Sequence, residues 1–344
     1  KMLREEPEIV AEKTPRLSVE KAKEAAEFLM KSESTERSKM DLLGLLKGRG
    51  FPKKVIDKLI GDYGVEAALI VHRNPYLLMR YKGCGFLKTD KMYLDLQHNP
   101  SRMKRQALCC WYSIARDSSG DTWFPFAVVR DYLRQNIAST SVDIERALKL
   151  AIRAGLLSER YSEGNRLIAE RSRDKSEGRI ADLIEEARNE IDSEPVLWKH
   201  VADQINGITD HQRENARLAT VGFVGILAGR PGTGKTHTCA RIVKLLCEQF
   251  GGSHIAIAAP TGKAAVRVTA AMNSVGVDLI ATTLHSLLGF CSAGFRFNRT
   301  NPLKEKFIIV DESSMIDTAM MASLLDARAE GAHILFIGDC NQLA

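Results

Sequence analysis

GRPGTGKT, residues 229–236, decides how this chain is read. The string fits G-x-x-x-x-G-K-[ST]. It sits between an apolar run, VGILA (224–228), and a helix-patterned stretch, THTCARIVKLLCEQF (236–250). Glycines in such a loop let backbone N–H groups cradle phosphates. Lys235 is placed to reach the β- and γ-phosphates, and the Thr236 hydroxyl suits Mg²⁺. Gly229, Pro231, Gly232, Thr233, Gly234, Lys235, Thr236 and His237 are therefore the expected nucleotide-binding residues, with ATP and Mg²⁺ as cofactors.

Working outward, the texture after about residue 205 supports that reading. Short apolar runs (VGILAG, HIAIAAP, FIIVDE, ILFIGD) alternate with helical stretches, and each run ends in Gly, Pro or a carboxylate. This is the pattern of a parallel α/β sheet with its active site beyond the carboxyl ends of the strands. FIIVDESSM (307–315) brings two adjacent carboxylates to a strand tip. Asp311 is expected in the metal shell and Glu312 as the base that activates water. APTGKAA (259–265) supplies a second turn with Lys263. With the nucleotide already given its own loop, this second turn suits a nucleic-acid backbone. Together the motifs predict a nucleoside triphosphatase.

Composition fits that prediction. The chain has 344 residues, enough for two or three domains, and a net charge of +6. Residues 73–105 carry eight Lys or Arg against Asp90 and Asp95, a local excess equal to that of the whole chain. A basic surface of this kind suits a polyanion. The seven cysteines form no C-x-x-C pair, which argues against a zinc site and for reduced thiols in a cytoplasmic protein. The apolar runs are far shorter than the roughly 18 residues of a membrane span.

The front half carries no catalytic signature. Residues 1–40 read as charged helix, with Ser18 as a cap. LLKGRGFPKKVIDKLIGDYG (45–64) and LLMRYKGCGFLKTDKMYLDL (77–96) share an apolar helix end, a Gly-x-Gly turn and a second, Lys-containing helix. This internal repeat over residues 41–100 resembles tandem helix-hairpin-helix units. Glycine turns that leave N–H groups at a helix start suit a phosphate, with Lys47, Arg49, Lys53, Lys54, Lys82 and Lys88 adding charge. A packing element that touches no DNA, or a surface for a protein partner, is the other reading. Residues 101–165 look like a winged-helix-type module, and 166–204 like a linker helix.

The ordered series TDHQ, GRPGTGKT, APTGKAA, TTLHSLLG, VDESSM and GDCNQL, across residues 208–344, resembles superfamily 1 DNA helicases of the RecD-like branch. The front half is similar to that family's longer bacterial members. The resemblance implies an α/β fold, with residues 205–344 as a first RecA-like ATPase domain following an all-α region. It implies that Gln212 reads the adenine edge, that Gln342 senses the γ-phosphate, and that Pro260, Thr261, Lys263, Thr283 and His285 line a single-strand channel. It makes AGFRFNRTNPL (293–303) a strand-separating hairpin in which Phe295 and Phe297 alternate with Arg296 and Asn298. Ser286 stands where many relatives have Arg. ATP-driven 5′-to-3′ movement on single-stranded DNA, with unwinding at duplex junctions in repair or recombination, is the implied activity. A motor of this type uses a second RecA-like domain that supplies arginines, worth about 10³ to 10⁵ in rate. None of this chain's arginines lies in a matching motif, so slow hydrolysis by this piece alone is expected. The competing readings are a P-loop kinase, which leaves DESSM and GDCNQL unexplained, a DNA-binding module with a vestigial ATPase, and the helicase part of a conjugative relaxase.

Overall fold

A glycine turn followed by a short helix recurs along the front of the chain, and the backbone follows it. The computed structural model describes residues 2–15, 17–137, 142–189, 202–220, 222–230, 232–292 and 294–339. The chain divides into two units, Lys1–Tyr112 with Asp131–Ala147, and Ser113–Arg130 with Leu148–Ala344.

In the first unit, α1 (Met2–Glu5) and α2 (Pro7–Lys13) precede α3 (Val19–Leu46). Ser18 starts α3, its hydroxyl accepting the Lys21 N–H at 3.3 Å. α3 runs unbroken past residue 40, where the sequence suggested an end, because Leu42 and Leu46 continue its buried face. Gly48 (φ 75°) and Gly50 (φ 73°) then turn the chain into α4 (Lys54–Tyr63). After α5 (Ala67–Arg73), a 3₁₀ turn and Gly83 (φ 86°) lead into α6 (Phe86–Asp95). Leu42, Leu59, Val71, Leu78 and Met92 fill the core of this repeat. The two turns lean on one another. A Cβ at Gly83 would lie 2.8 Å from Pro52 Cγ, and Lys88 Nζ donates to the carbonyls of Gly50 (2.9 Å) and Gly83 (3.1 Å).

Arg105, on α7 (Met103–Ala115), is one of the cations counted toward the basic surface of residues 73–105, but it is not on the surface. It is only 4% exposed. Its guanidinium donates to both Asp90 oxygens at 2.8 and 2.9 Å and to the carbonyls of Pro100 (2.9 Å) and Asn136 (3.1 Å). Tyr76 donates its hydroxyl to the same carboxylate. Burial, then that carboxylate, push the Tyr76 phenol well above its ordinary range.

β1 (Trp123–Pro125), α8 (Phe126–Asn136), α9 (Ile144–Arg153), β2 (Leu157–Ser162) and β3 (Asn165–Glu170) come next. The strands form an antiparallel sheet of order β1-β3-β2. Residues 166–170, expected in the linker helix, belong to β3. Glu163 (φ 51°) and Gly164 (φ 78°) close a tight hairpin there, and pairing with β2 wins over helix. The helix itself is α10 (Arg171–Asn189).

The second unit continues with α11 (Asp210–Ala219), β4 (Val224–Ala228), α12 (Lys235–Phe250), β5 (Ile255–Ala259), α13 (Gly262–Ser274), β6 (Thr282–Thr283), α14 (Leu284–Leu287), β7 (Phe290–Cys291), β8 (Gly294–Phe295), β9 (Phe307–Val310), α15 (Thr318–Asp326) and β10 (His333–Gly338). Its main sheet has the order β4-β10-β9-β5-β6, every pairing parallel, and β7 and β8 form a separate antiparallel pair. Strands apolar at every position need cover on both faces. Ile309, Leu335 and Ile337 face Ile242, Leu246 and Met272 on one side. Ile308, Val310, Ile334 and Phe336 face Leu284, Leu324 and Leu325 on the other. α10 joins this second layer through Ile180 and Leu183 and an ion pair between Arg179 and Asp326 of α15 (2.6 Å). Among the described residues, no helix is long and apolar enough to cross a membrane.

Candidate nucleotide and nucleic-acid site

Parallel strands deliver their carboxyl ends to one edge of the sheet, and the chemistry-bearing motifs collect there. β4 ends at Ala228, and the loop returns into α12 through Gly232 (φ 80°) and Gly234 (φ 79°). Both glycines hold left-handed backbone that a side chain would strain. Gly229 N–H donates to Gly338 O at the tip of β10 (3.2 Å), and the Thr233 hydroxyl donates to Arg230 O (2.8 Å). Lys235 Nζ folds over the loop and donates to the carbonyls of Gly229 and Arg230, the latter at 2.9 Å. A phosphate chain cradled by the loop would exchange those carbonyls for phosphate oxygens. His237 Nε2 lies 3.4 Å from Gly207 O. Pro231 and Gln342 lie outside the described residues.

Gln212 leans over the loop from the first turn of α11. Its Oε1 accepts the Thr209 N–H (3.1 Å) while Thr209 Oγ1 accepts the Gln212 N–H (3.2 Å), a reciprocal capping box. Its Nε2 donates to Thr233 O (3.1 Å). His211, Gln212, Asn215, Gly229, Thr233 and Lys235 help line a cavity of about 120 Å³ at this point.

Across the loop, β9 ends in the acidic pair. Asp311 is 6% exposed, its N–H fixed on Ala258 O (3.0 Å). Burial raises its pKa, partly opposed by the N–H of Glu312, which donates to Oδ1 at 2.9 Å. Thr236 Oγ1 stands 3.3 Å from Asp311 Oδ2. Two hard oxygen donors this close fit Mg²⁺, which takes few protein ligands and keeps several waters. Glu312 has left-handed backbone (φ 53°, ψ 38°), uncommon for a residue with a side chain. Its Oε1 is 3.3 Å from Nη1 of Arg267 on α13. Sequence reasoning missed Arg267; its position one helical turn after Lys263 was the available signal. Ser313 Oγ donates to Ile337 O (3.0 Å), stitching this segment to β10.

The neighbouring strand tips carry the other motifs. β5 and β6 pair with Ala259 opposite Thr283. Thr261 caps α13 by accepting the Ala264 N–H (3.2 Å), and Thr283 caps α14 by accepting that of Ser286 (3.2 Å). Pro260, Thr261, Lys263, Thr283 and His285 are all at least partly exposed at this edge. The hairpin beside them is β7–β8, pairing Phe290 with Phe295. It is displaced toward the N-terminus from residues 293–303, because Phe297 packs on the core and Asn298 bridges to Asn301 in a separate turn. The His285 ring stands 5.3 Å from Phe290 and 5.9 Å from Phe295.

In the first unit, Lys47, Arg49, Leu87, Lys88, Lys91 and Asp95 line a cleft of about 520 Å³ beside the first glycine turn. Arg49 pairs with Asp95 (3.4 Å), and Lys88 is committed to the two carbonyls already described.

A phosphate loop facing an acidic strand tip on a parallel sheet defines a P-loop nucleotide-binding domain. Residues 212–344 match a family model described as an AAA domain, and residues 3–123 match one described as the ATP-dependent RecD2 DNA helicase HHH domain. The chain is 28% identical over 339 residues to the ATP-dependent RecD2 DNA helicase of Deinococcus radiodurans, covering 92% of this chain and 45% of that protein. It is 43% identical over 152 residues to the RecBCD enzyme subunit RecD of Mycobacterium tuberculosis, covering 39% of this chain and 26% of that protein. The corresponding subunit of Haemophilus influenzae is 38% identical over 155 residues, covering 40% and 24%. The chain thus spans less than half the length of these relatives. Its front is similar to the helix-hairpin-helix region of the RecD2 helicase, and residues 212–344 to an AAA domain.

Proposed function

We propose that the protein carrying this chain hydrolyses ATP to move 5′ to 3′ along single-stranded DNA and to unwind duplex junctions in repair or recombination. One observation carries this reading: Lys235 and Thr236, the Asp311–Glu312 pair, and the Thr261 and Thr283 caps lie at the carboxyl tips of strands along one sheet edge. Lys235 and the loop N–H groups hold the β- and γ-phosphates, Gln212 faces the adenine, and Gln342 senses the γ-phosphate. Thr236 and Asp311 would hold Mg²⁺, which would neutralise charge on the phosphates. Glu312 takes a proton from water as the water oxygen bonds the γ-phosphorus. The bond to the β–γ bridging oxygen breaks, leaving ADP and phosphate. Pro260, Thr261, Lys263, Thr283 and His285 guide the strand, and the cleft at Lys47 and Lys91 meets a DNA backbone. The direction follows from the family resemblance.

The test is ATP hydrolysis by the full-length protein with and without single-stranded DNA, and strand separation on 5′- and 3′-tailed duplexes. Strong DNA stimulation and a preference for the 5′ tail are expected. Lys235→Ala should abolish hydrolysis and unwinding in a protein that stays folded. Retained unwinding in that variant, or no stimulation in the wild type, would refute the reading.

A further inference from the structure

The Arg267–Glu312 contact joins two parts of the site that the motifs treat separately. Lys263, Val266, Arg267 and Ala270 form the exposed stripe of α13, the helix that starts at the Thr261 cap. Arg267 is therefore on the same face as the lysine assigned to the DNA strand, and its side chain is 68% exposed. Glu312, 25% exposed, turns toward that face from a left-handed backbone, and Arg267 Nη1 meets its Oε1 at 3.3 Å. A guanidinium donating through one nitrogen still has its paired N–H edge available to a second acceptor. It binds phosphate better, through two parallel hydrogen bonds.

We propose that Arg267 is a positioning residue that couples occupancy of the DNA edge to the catalytic base. Without DNA it restrains the Glu312 carboxylate against α13. A backbone phosphate of the bound strand competes for the guanidinium and frees Glu312 to meet the attacking water. The inference rests on the proposed ATPase and DNA-binding roles of this edge. The restraint is soft, because an ion pair this exposed shifts an equilibrium by no more than about fivefold. It lowers the DNA-free rate and leaves ATP binding alone.

The experiment compares wild type, Arg267→Ala and Arg267→Lys in the full-length protein, measuring kcat and KM for ATP with and without single-stranded DNA. Arg267→Ala should raise the DNA-free kcat about two- to fivefold with KM unchanged, and lower the stimulation ratio by the same factor. Arg267→Lys, which keeps the cation, should hold the DNA-free rate near wild type. If the wild type is stimulated but Arg267→Ala has an unchanged DNA-free rate and only weaker DNA affinity, Arg267 is merely a DNA contact and the proposal fails. A fall in kcat both with and without DNA also overturns it, since Arg267 would then support Glu312 in the active state. No stimulation in the wild type removes the underlying reading, and the proposal with it.

Discussion

Replacing Arg105 by Met tests whether the basic stretch is a surface or partly a strut. The side chain is nearly isosteric along its stem, so the change removes the guanidinium with little change in packing. Four hydrogen bonds disappear, two to Asp90 and one each to Pro100 O and Asn136 O. Asp90, 14% exposed, keeps the Tyr76 hydroxyl but loses its cation. Removing one partner of a buried pair costs roughly 3–5 kcal/mol, against a total stability of roughly 5–15 kcal/mol for a domain. At 1.4 kcal/mol per decade, local opening should become about 10² to 10³·⁵ times more frequent. Hydrogen exchange read by mass spectrometry on peptides from residues 86–112 measures this directly. The exposed Lys91→Met is the control. It should leave exchange unchanged and lower the salt slope of DNA binding by about 0.7–0.9. If Arg105→Met altered that slope while exchange changed less than tenfold, the strut assignment would be wrong.

Other outcomes follow from the same geometry. His333 is buried, and its pKa is pushed down to about 4 by burial, with the Arg328 charge adding to the shift. The neutral ring is thus favoured in the fold. Its contribution is full above about pH 6.5 and lost as pH falls to about 4, a change of up to about 3 kcal/mol; His333→Gln should flatten that limb in denaturation curves taken from pH 7 to 4. Gly225→Ala should lower the melting temperature sharply, because its Cβ would sit 1.7 Å from Ala219 O and push α11 off β4; an unchanged melting curve would contradict the packing described. Phe290, 61% exposed at the β7–β8 hairpin, should matter to strand separation and not to hydrolysis. Phe290→Ala is expected to slow unwinding several-fold while DNA-stimulated ATPase persists, and equal loss of both activities would argue against a separating role.

The motor half was legible because its signals are short and local. Residues 229–236 specify a loop through glycines, and FIIVDE specifies a buried strand with carboxylates at its tip. What escaped depends on contacts distant in sequence. Arg105 counts as surface charge until Asp90 closes around it, and Arg267 has no meaning until β9 brings Glu312 beside it, 45 positions on. The resemblance implied an adenine contact for Gln212, but not its hydrogen bonds to Thr209 and Thr233. Strands of two residues such as β7 and β8 carry too little periodicity to fix a register, which is how the hairpin came to be expected several residues late. Residues 166–170 have the apolar content of either a helix or a strand, and the turn at Glu163–Gly164 decides between them.

α10 runs straight out of β3, and Arg179, Ile180 and Leu183 bolt its middle to the motor sheet's outer layer. The eight residues between the strand and that anchor, 171–178, make an arm about 12 Å long. Any displacement of that outer layer would reach the small β1-β3-β2 sheet through about two turns of continuous helical backbone.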